Sequence, residues 1–65
     1  MNKRFAKFTE VRVDLYNEES TNELMLDVSI ITAIRSNGSG TEIITSEENF
    51  IVTESFNDVR KVLAI

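Results

Sequence analysis

The chain has no cysteine, no histidine, no proline and no tryptophan, and only two glycines in 65 residues. Each absence removes a class of solutions. Without Cys there is no disulfide and no thiolate metal site. Without His the commonest metal ligand is missing, and Ser or Thr hydroxyls lack the base that activates them in hydrolase triads. No apolar run approaches the ~18 residues of a membrane span, so no membrane partner is expected. The N-terminus is basic but carries no apolar stretch, so no secretory signal is expected either. The lack of Cys fits a cytoplasmic protein.

A chain this short is read as a single domain, residues 1–65. Domains of this size are marginally stable and gain help from disulfides, metals or oligomerisation. Of those three, oligomerisation is the one this composition leaves readily open. A hydrophobic content of 42% is enough to build a core.

Positive charge is scarce, with seven Lys and Arg against eleven Asp and Glu, a net charge of −4. That balance opposes non-specific binding to a polyanion, so nucleic acid is not the expected partner. Lys3, Arg4 and Lys7 cluster near the N-terminus. Interleaved with Phe5 and Phe8 they look a little like a nucleic-acid patch, and more like a frayed end leading into a strand. Glu18, Glu19, Glu23 and Asp27 form one acidic stretch; Glu42, Glu47, Glu48 and Glu54 form another. Both read as solvated faces, or as acidic surfaces for a basic partner.

What is present is mostly strand. Residues Phe8 to Tyr16 alternate, with Val11, Val13 and Leu15 on the face read as buried and Glu10, Arg12, Asp14 and Tyr16 on the other. A helix is the rival, because Phe5, Phe8, Val11 and Leu15 nearly fit a 3.6-residue period. The alternation favours the strand. Asn17–Asn22 reads as a six-residue loop, and Leu24–Val28 as a second strand antiparallel to the first. Ser29–Arg35 is apolar on both faces through Ile30, Ile31, Ala33 and Ile34. It is either a central strand covered on both sides or a short turn leading into one.

Ser36-Asn37-Gly38-Ser39-Gly40 is the clearest turn, since Asn-Gly tolerates the positive φ of tight hairpins. It joins Arg35 to a strand at Thr41–Thr45. Ser46–Asn49 turns the chain again into Phe50–Thr53. Ser55 then reads as a helix N-cap with Asp58 three residues on. Phe56, Val59, Val62 and Leu63 make the apolar stripe of the helix that follows. The fold class is α+β: a small curled antiparallel sheet of four or five strands with one C-terminal α-helix.

Candidate chemistry is thin. Glu47-Glu48 is the best carboxylate pair for acid–base work, but it falls in a turn. Asp14, Asn17, Glu18 and Glu19 gather oxygens without the spacing of a calcium loop. Asn37–Gly40 offers free backbone N–H groups but has no Lys after it and no helix starting there. Asn37-Gly38-Ser39 spells a glycosylation sequon that only a secreted chain would use. No catalytic residue, no metal ligand set and no cofactor site is expected, and an enzyme is not.

The stretch Glu23–Leu63 resembles the small FlbD/SwrD flagellar-associated family. The residues that carry the likeness are Leu24-Met25-Leu26, Ile31 and Ile34, Thr41-Glu42-Ile43-Ile44-Thr45, and Phe50-Ile51-Val52-Thr53-Glu54-Ser55 with Val59 and Leu63. Two features depart from the family pattern: the loop Ser36–Gly40 sits earlier, and Asn17–Asn22 looks like an insertion. The C-terminal half of a LytTR DNA-binding domain shows a similar rhythm, without its basic character here. The family resemblance implies a cytoplasmic, non-enzymatic accessory protein and carries no site residues with it.

The expectation is a non-enzymatic binding or regulatory module acting as a homo-oligomer. Its interface residues would be Ile30, Ile31 and Ile34. The alternative is a phage-type counter-defence or inhibitor protein that sequesters a host protein or a small nucleotide signal. Arg12, Tyr16, Arg35, Arg60 and Lys61 are the candidate contacts to a partner or small anionic ligand.

Overall fold

The computed structural model describes residues 3–65. Five strands and one helix follow in order: β1 (Phe5–Val13), β2 (Glu19–Asp27), a 3₁₀ turn (Val28–Ile30), β3 (Ile31–Asn37), β4 (Gly40–Thr45), β5 (Asn49–Val52) and α1 (Phe56–Leu63). They form a five-stranded antiparallel sheet in the order β2-β1-β5-β4-β3.

That order forces curvature. β2 and β3 lie at opposite edges, about 19 Å apart in a flat sheet with strands ~4.8 Å apart. Yet four chain steps join Asp27 to Ile31, and these reach about 14 Å even fully extended. The sheet must curl to bring its two edges together. The short linker keeps both ladders going at this point: Val28 N donates to Arg4 O at 2.9 Å and Ser46 N to Ile30 O at 3.0 Å. Asp27 caps the 3₁₀ turn, its Oδ1 accepting from Ser29 N at 2.9 Å and from Ser29 Oγ at 2.7 Å. These two bonds hold the Asp27 carboxyl below its ordinary pKa.

Ser29–Arg35 therefore takes the second of its two readings, a short turn feeding a strand, and β3 is an edge strand. Its double-sided apolar pattern has a local cause. Ile31 pairs with Thr45 and Ala33 with Ile44, so the register shifts at Thr32. A bulge of this kind adds one residue to one strand. It turns Ile31 and Ile34 to the same face, both half-buried against the core, while Ala33 is exposed.

The first hairpin corrects the sequence reading in two places. β1 spans Phe5–Val13, not Phe8–Tyr16, and its buried residues are Ala6, Phe8 and Glu10. The face expected inside, with Val11, Val13 and Leu15, points outward: Val13 and Leu15 are exposed. The register explains the choice. Ala6 pairs with Leu26 and Phe8 with Leu24, so the apolar residues of both strands meet only on this face. The loop expected at Asn17–Asn22 is instead Asp14–Glu18, and Glu19–Asn22 belongs to β2. Asp14 sets the turn earlier. Asn17 N donates to Asp14 O at 3.1 Å, and Asn17 takes the left-handed φ of 64° that closes a three-residue hairpin loop.

The Asn37–Gly40 turn falls where expected. Gly38 has φ +58°. Gly in positive φ at the first central position is the type II′ arrangement. Gly40 is required for another reason: a Cβ there would sit well inside the Val52 carbonyl oxygen.

Helix α1 also starts where expected, with Ser55 Oγ accepting from Asp58 N at 3.2 Å. It ends on Ala64 in the left-handed region, whose N–H bonds to the carbonyls of Arg60 and Lys61. Val59 and Leu63 are buried in one cluster with Ala6, Phe8, Leu26, Ile43 and Val52. Phe56 is half-buried, and Val62, expected on the buried stripe, is exposed. No helix among the described residues is long and apolar enough to cross a membrane.

Candidate functional site

Large apolar side chains left in solvent are unevenly shared. Among the described residues, Phe5, Val13, Leu15, Tyr16 and Met25 all belong to the β1–β2 hairpin, and only Val62 and Ile65 lie elsewhere. Leu15 and Tyr16 occupy the two central positions of the hairpin turn, where Gly, Asn, Asp or Pro would ordinarily serve. Leu15 is completely exposed and Tyr16 is 86% exposed.

This tip is held in shape. Asp14 Oδ1 accepts from Tyr16 N at 2.8 Å and from Glu18 N at 3.0 Å, and Asp14 N donates to Glu18 O at 3.0 Å. Behind it, nine residue pairs run in unbroken register from Val13↔Glu19 to Phe5↔Asp27. The hairpin joins the rest of the sheet through one pair, Glu10↔Val52, supplemented by Thr53 N donating to Thr9 O at 2.9 Å. Both oxygens of Glu54 accept from Thr9 N, at 3.0 and 3.1 Å, so this carboxylate takes over where β5 ends. The molecule is accordingly long, 43 × 22 × 18 Å.

A cleft of about 580 Å³ lies between the Asn37–Gly40 turn and the start of α1. Ile34 and Phe56 give it apolar walls, and Ser36, Ser39, Ser55 and Asn57 give it a polar rim. Among the described residues, Arg35 is the one charged residue lining it. The start of α1 also borders it, and the first N–H groups of a helix have no intrahelical acceptor and favour negative charge, which Asp58 in that first turn already supplies in part. A smaller hollow of about 360 Å³ lies on the other side of the same turn, shared by Gly38–Gly40 with Val11, Glu19 and Ile51.

Arg35 also pairs with Glu42, Nε to Oε1 at 2.5 Å. The hydrogen bond, and then the opposite charge, raises the Arg35 pKa and lowers that of Glu42. Asn49 Nδ2 adds a second bond to Glu42 at 3.1 Å.

The five candidate contact residues are not brought together. Arg12 lies on β1, its Nε 3.2 Å from Glu10 Oε2. Tyr16 is at the hairpin tip, Arg35 is on the opposite edge strand, and Arg60 and Lys61 are in the last turn of α1. Only Arg35 lines the cleft. A single phosphate site built from Arg12, Arg35, Arg60 and Lys61 does not follow from this arrangement. Ile30 ends the 3₁₀ turn, half-buried, and Ile34 lines the cleft. Leu15, like Val13, is a residue that sequence reasoning placed on the wrong side. The available signal was Asp14 followed by Asn17, an Asx-type turn start with a residue tolerant of positive φ.

Among the described residues no group of three or more Asp, Glu, His or Cys could hold a metal ion. Asp14, whose oxygens were the best candidates, spends Oδ1 on its own turn. Glu47 and Glu48 are exposed, and their N–H groups donate to Thr45 Oγ1.

No family model matches the chain. No curated protein and no solved structure matches it either.

Proposed function

We propose that this protein is a non-enzymatic binding module that works as a homo-oligomer through its β1–β2 hairpin. The observation that carries this reading is the concentration of exposed Phe5, Val13, Leu15, Tyr16 and Met25 on one hairpin with a rigid tip. Each large apolar side chain moved out of water is worth about 1.5–3 kcal/mol, so association has a ready driving force. Tyr is also among the residues that dominate binding energy at interfaces. The hairpin takes the place of Ile30 and Ile31 at the centre of the contact, because Ile31 packs on the chain's own core, while Ile34, half-buried, also lines the cleft. A cytoplasmic accessory role, as the FlbD/SwrD resemblance implies, belongs to the same proposal.

Sedimentation velocity tests it. The wild type is expected to assemble at micromolar concentration, and Leu15→Ser with Tyr16→Ser to sediment as a folded 7.4 kDa monomer. A wild type that is itself a folded monomer under those conditions would sink the reading.

A second reading, capture of a small nucleotide signal, draws on Arg35 in the cleft. A ligand that binds only the folded state raises the melting point. A rise with one member of a nucleotide panel, lost in Arg35→Ala, would favour it.

A further inference from the structure

We infer that the hairpin tip of one copy docks into the Arg35 cleft of a second copy, reciprocally about a two-fold axis. The inference rests on the self-association reading above and names both halves of the contact. The tip supplies two apolar side chains, Leu15 and Tyr16, followed in the chain by the exposed acidic residues Glu18 and Glu19. The cleft supplies apolar walls from Ile34 and Phe56, with Arg35 as its charged lining residue and the N-terminal end of α1 on its rim. The cleft is broad and open, so it can receive a protruding tip without burying it completely, and a carboxylate can still reach the Arg35 nitrogens that Glu42, bound at Nε, leaves over. Ser36, Ser39 and Asn57 offer partners for the Tyr16 hydroxyl, which a buried Tyr needs.

A second copy is the fitting occupant because the two features flank a single turn. The cleft and the smaller hollow share Gly38, Ser39 and Gly40, and Glu19 at the base of the hairpin lines the hollow. Tip and cleft therefore lie toward one end of the molecule. Two chains meeting at that end exchange tips, and such an isologous contact closes at a dimer. Ordering the loop backbone costs little, since Asp14 already holds it in the free chain, and what remains is the rotamer freedom of Leu15 and Tyr16.

The absence of native Cys makes the test clean. Leu15→Cys and Asn57→Cys, both at exposed positions, are made as separate proteins, one of them ¹⁵N-labelled. They are mixed, equilibrated and mildly oxidised, and disulfide species are read by intact mass. The crossed Leu15→Cys/Asn57→Cys species is expected to exceed either self-linked species several-fold, and Arg35→Glu in the Asn57→Cys partner is expected to abolish the excess. Crossed links no more abundant than self-links overturn the docking. If the wild type still sediments as an assembly in that case, self-association survives and this contact does not; a monomeric wild type removes both.

Charge reversal gives an independent measurement without cysteines. Arg35→Glu is expected to weaken dimerisation about tenfold or more, and Glu18→Arg with Glu19→Arg in the same chain to restore it. Failure of the restoration in a folded triple variant counts against the contact.

Discussion

The two halves of the molecule are built on opposite economies. From β3 to the end of α1, the chain keeps most of its large apolar residues out of water: Ile43, Val52, Val59 and Leu63 are buried, together with the polar Thr41 and Thr45, and Val62 is exposed. The hidden hydroxyls are satisfied, Thr41 Oγ1 donating to Glu54 O at 2.8 Å and Thr45 Oγ1 to Glu48 O at 2.5 Å. The β1–β2 hairpin buries Ala6, Phe8 and Leu26 and leaves five large apolar side chains in water. One half is assembled around its own core, while the other is an arm attached at Glu10↔Val52 and pinned by Phe8 and Glu54. The difference teaches where to look for function. Surface that a chain of this size leaves apolar, on a rigid element, costs it nothing in folding and is available for association.

The sharpest way to break this contrast is at the peg. Phe8→Ala removes the hairpin's largest buried side chain. It is expected to cost about 3–5 kcal/mol. That is comparable to the whole stability of a small domain, about 0.05–0.15 kcal/mol per residue. Urea denaturation should find little folded protein, and hydrogen exchange in any folded remainder should be lost first in β1 and β2.

Gly40→Ala attacks the other half. Its Cβ meets the Val52 carbonyl, so β4 and β5 must part near Thr41↔Val52. The expected loss is about 3 kcal/mol, at the upper end for overpacking, read as a lower urea midpoint. Gly38→Ala is strained by backbone rather than by space, so the two variants separate the roles of two glycines in one turn.

Ala64→Gly runs the other way. Ala64 holds φ 61° at the helix C-terminus. Glycine carries no Cβ penalty there, and the change is expected to stabilise by about 1 kcal/mol. A domain of this size should gain roughly 4–8 °C in Tm per kcal/mol. A drop in Tm would show that the Ala64 methyl group contributes more than its backbone costs.

The smallest effect concerns acid. Glu42 and Asp27 have folded pKa values lowered from 4.5 and 3.8. A depressed carboxyl contributes stability that is complete above its unfolded pKa and lost as pH falls through the folded one. Tm should therefore hold steady above about pH 5 and fall below it. Glu42→Gln should remove part of that slope. An unchanged slope would assign the acid sensitivity to Asp27 and its bonds from Ser29.

Much of the fold is legible in the sequence. The turn at Asn37–Gly40, the strands on either side of it, the Ser55 cap and the helix stripe through Val59 and Leu63 all stand where sequence chemistry puts them. Local signals suffice for these elements, because a Gly of positive φ, a capping hydroxyl and a 3.6-residue period each act within a few residues. The first hairpin was legible only as strand. Its two faces carry comparable apolar content, Ala6 and Phe8 against Val11 and Val13, and alternation alone cannot say which side is inside. The partner strand decides. The candidate site was less legible still, since charges that read as one set sit on separate elements.

What the sequence determines by itself, then, is the element types, the two C-terminal turns and the helix boundaries, all set by short-range backbone preferences. The tertiary structure alone decides three things. The nine-pair register selects Phe8's face over Val11's, the bulge at Thr32 gathers Ile31 and Ile34 onto one side, and the three-residue link between opposite edges curls the sheet. Each depends on residues distant in sequence meeting in space. That is why Leu15 and Tyr16, which alternation had read as strand, stand at a hairpin tip in solvent.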